Sequence, residues 1–352
     1  MIMLSRVAER LYWMARYLER AEDTARLTKA YTHLIMDIPA ESQPGWDILV
    51  RILDAQTSFS EHHRACNEQN VLKFLIADEE NPGSVHYCIR AARENVRTTR
   101  DVLPEEVWEH VNGLYLFSQE HAAKSVGRRN RHQFLDQVIT RCQMISGLLM
   151  STLCRDHAYR FIKLGALLER ADMTTRIIDV GAGALLGNER LNKAVDPLIW
   201  ACLLQSLSAM GTYRRTIGPL VEASPVVNFV FREPALPRSV RFCLDGIRRE
   251  LLPLKQHEKA LKVLDRSLRS LARFNAETAE RQELHDFIDH FQLELNTLGG
   301  VISSTWFMSG VDTSRVDTSG VDTSGVDTSG VETSSVETSR VDTSGVETSR
   351  RV

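Results

Sequence analysis

The chain has 352 residues, of which 43% are hydrophobic and 25% are charged, and its formal net charge at pH 7 is −3. A chain of this length and hydrophobic content can fill a substantial core. Its near-neutral charge gives no electrostatic reason to expect binding to nucleic acid or to an anionic membrane. The sequence also lacks any run of about 18 uncharged apolar residues, so we expect no membrane span and a cytoplasmic protein.

The six cysteines are scattered, with no CxxC motif and no His or Cys at a spacing that suits a metal. They predict small buried thiols in a reducing compartment rather than disulfides. We therefore expect no metal site and no cofactor.

The first predicted element is an amphipathic helix over Ser5 to Leu27. A similar segment returns at residues 155–177, where eight of 23 aligned positions are identical, and this predicts an internal repeat. Apolar side chains recur in the first copy at steps of three and four residues, which places them on one stripe of a helix. They are Leu4, Val7, Leu11, Met14, Leu18, Ala21 and Ala25.

Each copy carries a Glu-Arg motif, Glu19-Arg20 in the first and Glu169-Arg170 in the second. An arginine directly after a glutamate points about 100° away from it and cannot pair with it on the same helix. We therefore expect the two repeat helices to pack side by side, with the arginine of each copy meeting the acids of the other across a pseudo-twofold axis. Both copies add an acid three residues after the glutamate and an arginine seven after it: Glu22 and Arg26, and Asp172 and Arg176.

Two interpretations of this motif are open. The first is an ion-pair lattice that fixes the register of a helical bundle. The second is a catalytic or ligand-binding site, with Glu19 or Glu169 as an acid or base and the arginines as anion ligands, because tuned acid–base groups are often partly buried and paired.

Further helices are predicted between the copies. An apolar pattern from Trp46 to Phe59 predicts one of them, and the next long helix carries an arginine stripe. Guanidiniums in a row suit carboxylates or phosphates, but the stripe could instead neutralise the acids of the repeat helices. The stripe consists of Arg90, Arg93, Arg97 and Arg100.

Gly181, Gly183 and Gly187 are predicted to end the second repeat helix, and they are not a phosphate loop because no strand precedes them. Helices then follow from 196 to about 307. Since every strong periodicity is helical, we predict an all-α bundle of about ten helices, with a first bundle at about 1–180 and a second helical half at about 190–308. A homo-oligomer is left open.

The last segment, 309–352, differs in kind. Residues 311–350 are eight pentapeptides of the form V-[DE]-T-S-x. Only one residue in five is apolar, so a disordered low-complexity tail is predicted. A pentapeptide β-solenoid is the alternative, although the central leucine that such coils bury is absent.

Residues 1 to about 308 resemble the alpha-E family, named for a predicted helical domain with a Glu-Arg motif. The matching segments are SRVAERLYWMARYLERAEDTARL, NPGSVHYCIRAARENVRTTR, YRFIKLGALLERADMTTRIIDV and FREPALPRSVRFCL. The resemblance implies association with an ATP-grasp protein of the peptide- or amide-ligase kind and with a transglutaminase-like protein. It carries no established activity.

Two functions are therefore expected from the sequence. One is a non-catalytic helical partner that docks with the ligase or holds its peptide substrate, which the absence of a nucleophile–base pair favours. The other is an enzyme of unknown type acting on the same peptide through Glu19 or Glu169. In both, the candidate binding residues are Arg20, Arg90, Arg93, Arg97, Arg170 and Arg176.

Overall fold

A computed structural model describes residues 4–39, 43–186 and 196–307. Within these ranges all regular structure is helical, which confirms the all-α prediction. The fourteen described α-helices are α1 (Ser5–Asp37), α2 (Asp47–Ile52), α3 (Gln56–His62), α4 (Glu68–Ile76), α5 (Val85–Arg97), α6 (Glu105–His121), α7 (Arg128–Thr152), α8 (His157–Leu186), α9 (Asp196–Ser206), α10 (Met210–Thr216), α11 (Ala223–Arg232), α12 (Val240–Leu251), α13 (Glu258–Arg273) and α14 (Arg281–Trp306).

The structure has more helices than the predicted number of about ten, and two of the additional ones arise because two predicted helices are each broken in two. The apolar pattern from Trp46 to Phe59 forms α2 and α3, which are separated where Asp54 takes a positive φ of 52°. The segment after 196 likewise forms α9 and α10, separated at Ser208 with a φ of 53°. A left-handed residue ends a helix, and side-chain periodicity does not reveal it.

The duplication extends over the whole described domain, well beyond the Glu-Arg helices. Ser84 caps α5 by accepting from the Tyr87 amide, and Ser239 caps α12 by accepting from the Phe242 amide. The start of α7 shares the pattern His-x-Phe-x-Asp with α14, at 132–136 and 285–289. The repeat units are therefore α1–α7 and α8–α14, and the second Glu-Arg helix opens the second half.

The two halves share their cores. Helix α9 of the second half packs on α1, and α2 of the first half packs on α8. In α1, Leu11, Met14 and Leu18 contribute to one hydrophobic cluster, while Tyr12 and Leu27 contribute to the other. Every predicted stripe residue from Leu11 onward is buried, whereas Leu4 at the helix start is 75% exposed.

Three further predictions have a structural outcome. Helix α8 continues through Gly181 and Gly183, so the prediction that these glycines end it is wrong, and Gly187 lies outside the described residues. Four cysteines are buried, but Cys66 and Cys154 are exposed, which corrects the prediction for those two thiols. Among the described residues no helix is both long and apolar enough to cross a membrane. The pentapeptide tail is outside the described ranges.

Candidate functional site

Helices α1 and α8 form the centre of the domain and run in the same direction. Their contacts advance together along both helices, from Tyr12 against Gly165 to Arg16 and Arg20 against Glu169. Gly165 lets the two backbones approach, because a Cβ at this position would lie 2.2 Å from the carbonyl oxygen of Tyr12. This close crossing brings the two Glu-Arg motifs face to face.

The motifs pair reciprocally, as the sequence predicts. Arg20 donates from Nε to Glu169 Oε1 at 2.5 Å and from Nη2 to Oε2 at 3.1 Å. Arg170 donates from Nε to Glu19 Oε1 at 2.6 Å and from Nη2 to Oε2 at 2.8 Å. Two bidentate bonds of this kind fix the position and the angle of α1 relative to α8. The contact at the pseudo-twofold axis therefore holds the two halves in one arrangement.

The arginine of each motif also holds the start of a later helix in its own half. Arg20 donates from Nη1 to the carbonyl of Pro82, and Arg170 does the same to Pro237, both at 3.3 Å. Because the two prolines precede the capping serines of α5 and α12, the arginine of each motif ties its own helix to the start of the next.

The symmetry breaks at the second guanidinium on each glutamate. Glu169 Oε2 accepts from Nε of Arg16, which lies on α1 one turn before Arg20, at 2.6 Å. Glu19 Oε1 lies 3.2 Å from Nη1 of Arg238, which comes from the turn before α12. We call Glu19, Arg20, Glu169, Arg170, Arg16 and Arg238 the Glu-Arg cluster.

Arg238 also neutralises two further acids of α1. Its Nη2 donates to Glu22 Oε1 at 2.9 Å, and its Nη1 contacts Asp23 Oδ1. Sequence reasoning missed Arg238, although a signal was present: Pro82-Gly83-Ser84 and Pro237-Arg238-Ser239 align, with arginine where the first half has glycine. The contact joins residues more than two hundred positions apart, which no helical spacing reveals.

Burial and charge act in opposite directions on the candidate catalytic acids. Glu19 and Glu169 are 4% and 2% exposed, and burial alone raises a carboxyl pKa. The guanidiniums of Arg170 and Arg238 outweigh burial and lower the pKa of Glu19 to about 2. Arg16 and Arg20 likewise lower the pKa of Glu169. Both carboxylates are therefore held ionised.

Asp23 behaves in the opposite way. Burial raises its pKa, Arg238 offsets part of that rise, and the neighbouring Glu19 and Glu22 carboxylates add to it, so that the pKa reaches about 7. Its Oδ2 is buried and forms no hydrogen bond among the described residues. This oxygen is where the proton resides when Asp23 is neutral, because Oδ1 is turned toward the guanidinium.

Arg176 pairs first with an acid of its own helix and also reaches an acid of the other half. It donates from Nε to Asp172 Oδ2 at 2.9 Å, one helical turn away, and its Nη1 lies 3.8 Å from Asp54. Arg26 makes the equivalent bond to Glu22 at 2.8 Å. The predicted placement of these pairs on one helical face is correct.

The arginine stripe of α5 does not join the Glu-Arg cluster. Arg93 and Arg97 both pair with Glu94 on the same helix, at 2.7 and 2.8 Å, and Arg90 lies 3.4 Å from Glu79. The interpretation in which the stripe neutralises the acids of the repeat helices is therefore wrong. Nearer carboxylates on and before α5 satisfy these arginines. Glu94 lies one helical turn before Arg97, and its exposed side chain also meets the adjacent Arg93, while Glu79 before α5 reaches Arg90.

Asp179, His285 and Asp289 are described residues whose ligand atoms lie close enough to suit a metal ion, within 4.8 Å of one another. Asp179 and His285 are joined by a 2.6 Å bond that raises the pKa of the imidazole. In the first half Lys29 stands at the position of Asp179 and forms an ion pair with Asp136, which stands at the position of Asp289. Each half thus sets a cation against a carboxylate here, and ion pairing accounts for the group.

These features define an all-helical domain built on a duplicated Glu-Arg helix. The model of the Alpha-E family, described as a predicted alpha-helical domain with a conserved ER motif, matches residues 3–307. The chain therefore belongs to the Alpha-E family.

Similar curated proteins include uncharacterized proteins of Mycobacterium bovis and Mycobacterium tuberculosis. Each is 24% identical to this chain over 335 residues, a match that covers 85% of this chain and 36% of the relative. The chain thus spans about a third of the length of these relatives. No solved structure matches it.

Proposed function

We propose that this chain is a non-catalytic helical component of a system that makes or modifies peptide or amide bonds. It docks with an ATP-grasp ligase or holds the ligase's peptide substrate, alongside a transglutaminase-like protein. The observation that carries the proposal is that both motif glutamates are buried against guanidiniums of the same chain. The motif then maintains a rigid shape for a partner instead of reacting.

The electrostatics support this role over the enzymatic alternative. A general acid or base works best when its pKa lies near the working pH. Glu19 and Glu169 both have lowered pKa values, and every carboxylate oxygen of the two accepts a bond from an arginine. Neither is poised to take up or release a proton at neutral pH.

The size of the relatives gives a second line of support. The matched region is only 36% of each mycobacterial relative, so in those proteins a domain like this one shares its chain with a larger segment. A domain that works beside another part of the same protein in one organism is a good candidate for a separate partner subunit in another.

The arginines of α5 are the part of the chain that we assign to docking. The side chain of Arg97 is 55% exposed and that of Arg90 is 38% exposed. Their carboxylate partners are also exposed, and such surface pairs are weak enough to exchange for a new partner. Guanidiniums in a row suit carboxylates on a protein surface.

The test is co-purification of the tagged full-length chain with the untagged ATP-grasp protein encoded nearest to it. We expect stable, stoichiometric association that weakens in an Arg90→Glu, Arg97→Glu double variant. Arg266→Glu, Arg269→Glu is the matched control, because these residues are exposed arginines on α13 of the other half.

Loss of association in the α5 variant alone would support the docking face. Equal loss in both variants would contradict it. Absence of association for the unaltered chain at micromolar concentrations would overturn the partner role, and the enzyme alternative would then be tested by screening peptides for turnover.

A further inference from the structure

A small pocket opens beside the Glu-Arg cluster, on the side of Arg16. Tyr12, Trp13 and Arg16 of α1 form one wall, Asp172 of α8 forms another, and α14 closes the remaining side. Its volume is about 210 Å³, room for roughly seven waters at about 30 Å³ each. This is smaller than the roughly 300–1,000 Å³ of sites for drug-sized ligands, so the pocket fits one residue-sized group. We call it the glycine pocket.

Two consecutive glycines of α14 keep the glycine pocket open. A Cβ on Gly300 would meet nothing within 4 Å, and a Cβ on Gly299 would lie 3.3 Å from Leu168 and 3.8 Å from the Tyr12 hydroxyl. A glycine within a helix is destabilising relative to alanine. In α7 the equivalent positions are Ser146 and Gly147, so only the second half carries the pair.

Two buried polar atoms of the pocket walls have unused hydrogen-bonding capacity. The Tyr12 side chain is 2% exposed, and its hydroxyl faces the glycine gap beside the Arg16 guanidinium, without a well-aligned hydrogen bond to any described residue. Asp172 Oδ1 is also buried without a hydrogen bond, while Oδ2 is held by Arg176. A buried polar atom left unpaired is unfavourable, and a ligand with a matching group would pair it.

The pocket also carries excess positive charge. Arg16 and Arg20 share the single carboxylate of Glu169, whereas Asp172 and Arg176 neutralise each other. Arg16 bonds to Glu169 through Nε, and its guanidinium lies 4.9 Å from the ring of Trp13. A carboxylate would complement Arg16 and the Tyr12 hydroxyl, and an N–H donor would complement Asp172.

We infer that the glycine pocket binds one amino-acid residue through a free carboxylate and a nearby N–H group, with its apolar part against Trp13. Both a free amino acid and the C-terminal residue of a peptide have this chemistry. The inference rests on the proposed function in that it names the group a substrate-holding partner would hold.

The test is calorimetric titration of the full-length chain with three probes: each common amino acid, a pool of tripeptides with free carboxyl ends, and the same pool amidated. Binding of free amino acids alone identifies them as the source, and binding of the free-acid pool but not the amidated pool identifies a peptide terminus. Either result supports the pocket. Equal binding of the amidated pool, or binding of no probe, overturns it.

Two variants locate the binding. Gly300→Leu should fill the pocket and abolish binding, whereas Gly147→Leu places the same side chain at the equivalent exposed position of α7 and should leave binding unchanged. Tyr12→Phe removes only the buried hydroxyl, so we expect a melting temperature that is unchanged or higher and about tenfold weaker binding. Equal behaviour of the two leucine variants, or unaltered affinity in Tyr12→Phe, would overturn the assignment. Since no ligase is present in these titrations, they can fail independently of co-purification.

Discussion

The two halves of the domain hold each other through the same contact but surround it differently. Both place a glutamate against the other's arginine. Around that contact the first half adds Arg16 and an aromatic pair, and the second adds Arg238 from a turn. Residues on the pseudo-axis serve both halves and must match, whereas residues off the axis can diverge without disturbing the contact.

The divergence gives the two sides of the cluster different charge environments. Glu169 has two guanidiniums to itself. Glu19 lies in a group of three acids, with Glu22 and Asp23, which share the guanidiniums of Arg170, Arg238 and Arg26. One side therefore has excess positive charge and an open pocket, and the other has an acid that is protonated near neutral pH.

The largest expected effect comes from removing one motif carboxylate. Glu169→Gln leaves both Arg16 and Arg20 without a carboxylate partner, so we expect a loss of about 3–5 kcal/mol in the free energy of unfolding. Glu19→Gln should cost less, about 2–3 kcal/mol, because Arg238 keeps Glu22 and Asp23. Urea unfolding followed by circular dichroism measures both.

Glu94→Gln, which removes an exposed partner, serves as the control and should cost under about 1 kcal/mol. If Glu169→Gln kept full stability but lost the function of the proposed ligase system, the structural role of the motif would be refuted and a catalytic role favoured.

Asp23 should make the free energy of unfolding depend on pH. Only the first half carries this acid, because Met173 takes the equivalent place in the second half. Its pKa is raised from 3.8 to about 7. Between these values the unfolded chain has released the proton and the native state keeps it, so stability falls as pH rises through this window. Asp23→Asn should remove that fall. Between pH 4 and pH 7 the free energy of unfolding of the variant should therefore rise by at most about 4 kcal/mol relative to that of the unaltered chain.

Glu19 provides an internal contrast, since its pKa is lowered from 4.5 to about 2. Its contribution is present above pH 4.5 and is lost as pH falls toward 2. Histidines such as His285 titrate alike in both proteins. The difference in the free energy of unfolding between the unaltered chain and Asp23→Asn, measured at several pH values from 5 to 8, therefore isolates Asp23. Parallel profiles for the unaltered chain and Asp23→Asn would show that Asp23 stays ionised beside Arg238.

Gly165→Ala tests the close crossing of α1 and α8. Only α8 has a glycine there, because α1 has Ala15 at the equivalent position. The new methyl would lie 2.2 Å from the Tyr12 carbonyl oxygen, and such overpacking costs about 1–3 kcal/mol. Gly147→Ala, where nothing lies within 4 Å, should instead stabilise by about 0.5–1 kcal/mol. Equal melting temperatures for the two variants would contradict this account of the helix contact.

The smallest effect is expected outside the cluster. Arg97→Ala removes an exposed pair with Glu94 on one helix and should change the free energy of unfolding by less than about 0.5 kcal/mol. Arg20→Ala, which strips Glu169 of one of its two guanidiniums, should cost several times more. A comparable loss in both variants would place the arginine stripe in the structural lattice after all.

The contrast between Arg20 and Arg97 also shows how far the sequence could be interpreted. For Arg20 the helical angle excluded its neighbour Glu19, and the repeat supplied another glutamate, so Glu169 was predicted correctly. For Arg97 the angle indicated a face but not what lies opposite it, and the nearby Glu94 satisfied it instead. Duplication thus gave information about contacts that periodicity alone does not contain.

The sequence by itself determined the helices, the repeat and the reciprocal pairing, because each follows from spacing along one helix or from identity between two. Only the tertiary structure decided which guanidiniums complete the cluster and where a pocket remains. Arg238 reaches α1 across more than two hundred residues, and the glycine pocket depends on α14 lying beside α1 and α8. Such contacts depend on how whole helices pack, and this packing is set by the shared core of both halves rather than by any local pattern.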